Sequence, residues 1–192
     1  MGTQKFQQIE QRRYADVRSL IRPGDLFLAS GNYPVSRIIE HFSDSIFSHV
    51  GIIFFWKSRI LLLESVEDDG VRAVPLSHYL NDYENSGEPY SGRLFLARYD
   101  QAFSESQLDL MMGNATDRLN RRYDKNEIGR ILARITLGLG KHRDDDAYIC
   151  SEFVDVCFRD IGVRFQPNRH GFLFPENIAA DEKVRPLFEL LS

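Results

Sequence analysis

Ala147-Tyr148-Ile149-Cys150-Ser151-Glu152-Phe153-Val154-Asp155-Val156-Cys157-Phe158 puts a thiol where a helix begins, and the rest of the chain is read outward from it. Phe153, Val154, Val156, Cys157, Phe158 and Ile161 recur at helical spacing, whereas Asp144, Asp145 and Asp146 ahead of them cannot join a packed element. The helix is expected to start between Tyr148 and Ser151 and to stop at Gly162, a residue suited to a helix C-terminus. A cysteine in the first turn lies at the positive end of the helix dipole, among N–H groups without intrahelical partners, and both effects favour thiolate. Cys157 lies deeper in the same helix, where no dipole effect helps it and its small apolar side chain suits the core. The competing reading of Cys150 is a buried structural cysteine, and a catalytic one requires a histidine and a further polar group from elsewhere in the chain.

The totals narrow the classes. With 192 residues the chain is read as one domain over 1–192, its core at about 21–180, long enough to bury a core without disulfide or metal staples. A hydrophobic content of 43% with 14 Phe and 8 Tyr argues against disorder. A net charge of −4 supplies no overall basic surface, so nucleic acid is not an expected partner. The two cysteines are roughly 10 Å apart along one helix, too far to be bridged, and no paired Cys/His spacing points to a metal. No cofactor is expected. The N-terminus lacks the apolar stretch of a secretory leader, and no run has the length of a membrane span. A cytoplasmic protein is the default, with the periplasm as the alternative for a chain whose leader has been removed.

Taken in order, Gln7–Leu20 reads as a lead-in helix, and Leu26–Ala29 as a short strand after the turn Ile21-Arg22-Pro23-Gly24-Asp25. Val35–Phe42 reads as a helix. Ser45–Trp56 is a near-continuous β-branched and aromatic run, expected to be a strand buried on both faces with His49 at its entrance. Ile60–Val66 follows as its antiparallel hairpin partner, and Val71–Val74 as a third strand. Pro75–Leu80 begins a short helix, Asn81–Ser91 is expected to be an exposed loop, and Arg93–Tyr99 is a strand. Ser104 and Gln107 form a capping-box pattern ahead of a helix. A second helix carries Ile128, Ile131, Leu132, Ile135 and Leu139 on one face, Pro175 opens another, and Val184–Leu191 reads as an edge strand because of Pro186. Strands followed by helices make the fold class α+β.

Of the five histidines, His49 is the strongest candidate base, since the mouth of a buried strand holds a ring by packing yet lets it reach a cleft. His142 falls in a charged loop and His170 in an irregular stretch, while His41 and His78 have no comparable support. A packed core histidine remains the competing reading of His49. Glu64, a carboxylate closing an aliphatic run, requires a cationic or hydrogen-bonding partner. It shares a face with His49 only if the hairpin connection has an even number of residues or a bulge shifts the register, for which Gly51 is the natural place. Failing that, Ser65 or Glu67 takes the role. Alternatively, Glu64 simply pairs with Arg59 or Arg72.

Gly24-Asp25-Leu26, Ser48-His49-Val50-Gly51-Ile52, Leu63-Glu64-Ser65 and Tyr148-Ile149-Cys150-Ser151-Glu152-Phe153-Val154 together resemble the permuted papain-like hydrolases of the NlpC superfamily, the YiiX/YebB-like branch. The resemblance spans about residues 23–158, with histidine and polar partner ahead of the cysteine. It implies a papain-like core, circularly permuted: an antiparallel sheet or partial barrel against helices, with the nucleophile at a helix N-terminus. It further implies Cys150 as nucleophile, His49 as general base and later acid, and Glu64 as orienting group. The Cys150 N–H would help to hold the oxyanion, and Tyr123, Tyr148 and Ser151 are the expected oxyanion and substrate-binding residues. The expected function is a cysteine hydrolase cleaving an amide or ester bond, its partner a small peptide such as a cell-wall fragment, through a thioester acyl-enzyme. Two alternatives stay open. One is a lecithin:retinol acyltransferase-like lipid enzyme that rests its Glu127–Leu139 helix on a membrane, a contact less favoured because that helix lacks Trp or Phe anchors. The other is a binding module without turnover.

Overall fold

The computed structural model describes residues 2–31, 40, 44–122, 149–169 and 171–191. Along the chain these form α1 (Gly2–Phe6), β1 (Gln11–Arg13), α2 (Tyr14–Val17) running into a 3-10 turn at Arg18–Leu20, β2 (Leu26–Gly31), β3 (His49–Trp56), β4 (Arg59–Val66) and β5 (Gly70–Pro75). There follow α3 (Ser77–Asn81), a second 3-10 turn at Tyr83–Asn85, β6 (Gly92–Tyr99), α4 (Glu105–Thr116), α5 (Cys150–Arg159), α6 (Pro175–Ala180) and β7 (Val184–Leu191). The strands make one sheet in the order β1-β7-β6-β2-β3-β4-β5, antiparallel apart from the β1–β7 pair. The α+β expectation is met.

Both faces of the sheet are covered, which is why its central strands read as continuous apolar runs. Leu26, Leu28, Val50, Ile52, Leu63 and Phe95 face a core built with Phe6 of α1, Met111 and Ala115 of α4, Phe153, Val154, Cys157 and Phe158 of α5, and Ile178 of α6. Phe27, Ala29, Ile53, Leu62 and Leu96 face the other side, against Val17 of α2 and Tyr79 and Leu80 of α3. Each fully buried aliphatic or aromatic side chain contributes about 1.5–3 kcal/mol, so the two layers carry the fold.

Three expectations are corrected. Gln7–Leu20 is not one helix: Gln11–Arg13 pairs in parallel with Glu189–Leu191, and the Glu189 N–H donates to the Glu10 carbonyl at 2.9 Å. The open edge of β7 offers unpaired backbone groups, and satisfying them outweighs a weak helical preference. For the same reason β7 is not an edge strand. Pro186 is tolerated because it sits at the register shift beside Leu96 and Ala97, beyond the three residues that β1 covers. Asn81–Ser91 is not merely an exposed loop, since it contains the 3-10 turn and buries Tyr90. The predicted Ser104–Gln107 capping box is present, with the Gln107 N–H donating to Ser104 Oγ at 3.2 Å. The helices expected at Val35–Phe42 and Glu127–Leu139 lie outside the described residues, apart from Glu40.

Candidate active site

The β3–β4 hairpin turns through two residues, Lys57 and Ser58, with Trp56 opposite Arg59 and Ile52 opposite Leu63. An even connection puts His49 and Glu64 on one face. One further step along the ladder sets Gly51 opposite Glu64, with His49 on the diagonal. Gly51 does not bulge, because it pairs regularly with Phe27. Its role is to leave space: a Cβ there would lie 2.8 Å from the Leu63 carbonyl oxygen and 3.3 Å from the Glu64 Cβ. The bare glycine lets the carboxylate lean past it to the histidine.

The carboxylate of Glu64 is fully buried and held on both oxygens. His49 Nε2 lies 2.7 Å from Oε2, the Tyr79 hydroxyl donates to the same oxygen at 2.7 Å, and Arg72 Nε donates to Oε1 at 2.8 Å. Burial alone would raise its pKa, but the hydrogen bond from His49, the charges of His49 and Arg72, and the Tyr79 bond outweigh this and lower it. The Tyr79 phenol is driven well above its ordinary value by burial and by the adjacent Glu64 charge, so it remains a donor. His49 follows the same logic with the opposite charge. Burial would lower it, yet its hydrogen bonds to Cys150 and Glu64, with the charge of Glu64, raise it to about 10.

Cys150 is the first residue of α5 and only 3% exposed. Ile149 before it is extended, and its N–H donates to Glu152 Oε2 at 3.2 Å, closing the first turn. At the far end Gly162 takes φ +88°, with the Val163 N–H bonded to the Phe158 carbonyl and the Gly162 N–H to the Arg159 carbonyl, both at 3.0 Å. This is a Schellman stop, as the glycine predicted. Phe158 packs in a ring cluster with Tyr99, Phe103 and Phe165 at centroid distances of 5.2–6.1 Å, so the helix axis that aims Cys150 is fixed from its opposite end. Cys157 in the same helix is fully buried, and burial pushes its thiol up to about 12.

Glu64, His49, Arg72 and Tyr79 belong to the face covered by α2 and α3, whereas α5 packs on the opposite face. They meet because His49 is the first residue of its strand, at the rim of the sheet, where a helix tip can reach it. Ser48 anchors that rim: its Oγ accepts the Gly31 N–H at 3.1 Å, and its N–H donates to the Ala29 carbonyl at 2.9 Å.

Of the sequence-predicted residues, Cys150, His49 and Glu64 come together. Tyr123 and Tyr148 lie outside the described residues, as do His41, His142 and His170. Ser151 is fully buried and its hydroxyl donates to the Leu173 carbonyl at 2.6 Å, which ties the helix start to the chain before α6 and commits its proton there. The choice between His49 and Arg72 as partner of Glu64 is settled by two oxygens: it binds both. Tyr79 was missed, although Leu76 and Leu80 around it signal burial and a buried phenol requires an acceptor.

A family model described as permuted papain-like amidase enzymes, YaeF/YiiX, the C92 peptidase family, matches residues 21–182. The chain belongs to this family. It is accordingly a cysteine hydrolase with the permuted papain-like fold that the resemblance implied. The crystal structure of YiiX from Escherichia coli O157:H7, described as a metalloprotein, aligns with a TM-score of 0.67 over 89% of this C92 amidase and 98% of its own chain, at 15% identity. No curated protein matches the sequence. Among the described residues of the amidase, no group of three or more His, Cys, Asp and Glu side chains is placed to hold a metal ion, and His49 is already hydrogen-bonded to Glu64 and Cys150. The described site residues do not fit a resident metal.

Proposed function

We propose that this amidase cleaves the amide bond of a small peptide through a thioester acyl-enzyme, with Cys150 as nucleophile, His49 as acid and base, and Glu64 as orienting carboxylate. The observation that carries the reading is the His49 ring, bonded through Nε2 to a buried carboxylate and hydrogen-bonded to the thiol at a helix tip. With Nε2 committed, Nδ1 is left for the sulfur.

The imidazole holds the proton at neutral pH, its affinity raised by the thiol and Glu64. The sulfur attacks the carbonyl carbon, and the oxyanion forms beside the first N–H groups of α5, which lack intrahelical partners. His49 then passes its proton to the departing amine, the C–N bond breaks, and a thioester remains on Cys150. Water, deprotonated by His49, attacks the thioester, releasing the acid and returning the proton to the ring. Glu64 takes no proton in this cycle and keeps the ring oriented throughout.

The test uses a panel of dipeptide amides beside phosphatidylcholine vesicles. Release of amine from the peptides, lost by roughly a thousandfold in Cys150→Ser, with no fatty acid released from the vesicles, is the expected result. Acyl release from vesicles alone would replace the peptide reading with the lipid one.

A further inference from the structure

The active-site carboxylate continues outward through a chain of ions that reaches the surface. Arg72 spends three nitrogens on three different carboxylates: Nε on Glu64 at 2.8 Å, one terminal nitrogen on Asp69 at 2.6 Å and the other on Glu84 at 2.8 Å. Asp69 stands in the β4–β5 turn, and Glu84 lies in the 3-10 turn after α3. The guanidinium is thus gripped from two separate loops, and its plane cannot rotate without breaking a charged hydrogen bond.

Glu84 is held at a conformational cost. It takes φ +54° and Asn85 takes φ +57°, two successive non-glycine residues in the left-handed region, at about 1 kcal/mol or more each. The Glu84 N–H donates to His78 Nε2 at 3.3 Å, and Tyr83 beside it packs on Tyr79 at 4.9 Å between ring centroids. Such strain persists only where the surroundings over-determine it, and the result is a carboxylate aimed at Arg72.

We propose that the Tyr83–Asn85 turn is a latch on the reaction centre: Glu84 and Asp69 fix Arg72, Arg72 fixes Glu64, and Glu64 fixes the plane of the His49 ring. Arg72 and Glu84 are positioning residues, since neither touches a reacting atom. The inference rests on the functional reading above. Among the described residues, the charged or titratable groups facing Glu64 all belong to the scheme: His49 from β3, Arg72 from β5 and Tyr79 from α3, with Cys150 of α5 behind His49.

A latch and a through-space charge effect differ in sign. Removing the Arg72 charge alone would raise the proton affinity of His49, whereas loosening Glu64 removes the hydrogen bond that raises it and lowers that affinity. Arg72→Lys keeps the charge and loses the fork. The readout is the rate of Cys150 alkylation by iodoacetamide against pH in the full chain, with the label located by mass spectrometry and thermal melting run alongside.

In the native chain the upper inflection is expected near pH 10, where His49 loses its proton. Arg72→Lys, Arg72→Met and Glu84→Ala should each move it down by about one pH unit or more, and Arg72→Met should not be worsened further by adding Glu84→Ala. An Arg72→Lys profile identical to the native one, or an Arg72→Met inflection that moves up, overturns the latch. Melting that falls while the inflection stays at its native pH assigns the ions to stability alone and also overturns it. If Cys150 of the native chain is alkylated no faster than Cys157, the functional reading itself has failed, which is a different outcome.

Discussion

Asp25 and Glu64 of this amidase are each buried under an arginine, and the two do opposite things. At the β2 entrance Asp25 is 1% exposed, accepts from Arg98 Nε at 2.7 Å and from the Arg22 N–H at 2.7 Å, and holds a turn together. At the rim Glu64 accepts from Arg72, Tyr79 and His49. Burial dominates at Asp25 and its pKa is raised, while at Glu64 partners dominate and it is lowered. At Asp25 the arginine does not outweigh burial. At Glu64 a second cation and a phenol join the arginine, and the second cation is the histidine beside the thiol.

The largest way to break this comparison is turnover. His49→Ala should cost the amidase roughly a hundredfold to ten-thousandfold in kcat/KM, whereas Asp25→Asn should leave kcat/KM per folded molecule unchanged, read from initial rates with active-site titration. Equal losses would make the two sites equivalent.

Stability sharpens it next. Glu64→Ala strands His49, 15% exposed, and takes from Arg72, 13% exposed, one of its three carboxylates, and should cost about 3–5 kcal/mol in urea unfolding. Asp25→Ala should cost less, since Arg98 is 28% exposed and recovers hydration.

The pH dependence of melting separates the two carboxylates by sign. His49, raised from 6.5 to about 10, contributes stability that is complete below its unfolded value and lost as pH rises through about 10, so His49→Ala should flatten that window. Glu64, lowered, contributes stability present above its unfolded value of 4.5 and lost as pH falls through the folded one. Asp25, raised above 3.8, runs the other way: its protonation stabilises as pH falls. Glu64→Gln should therefore remove an acid loss of melting temperature, and Asp25→Asn an acid gain. The smallest effect concerns the rim anchor. Ser48→Ala should cost about 1–3 kcal/mol by orphaning the buried Gly31 N–H, with activity per folded molecule reduced only modestly.

The strands and the cysteine helix were legible because burial on both faces leaves an unbroken apolar run at Val50–Ile53, and because Gly162 and the apolar spacing of Phe153–Phe158 mark one helix. The His49–Glu64 pairing was legible as a parity condition, decided by whether Lys57 and Ser58 alone make the turn. β1 was not legible, since three polar residues become a strand only when the edge of β7, distant in sequence, is present to pair with them. The same holds for Glu84. Its contribution depends on two left-handed residues aiming it at a strand twelve positions back, and nothing in Asp82–Asn85 announces that geometry.

The most direct measurement compares the two thiols of one helix. Native protein treated with sub-stoichiometric iodoacetamide at pH 7 should carry its label on Cys150, because Cys157 is buried with its thiol pushed up to about 12, and His49→Ala should abolish that preference. Equal labelling of the two cysteines, or a preference that survives loss of the imidazole, would contradict the account.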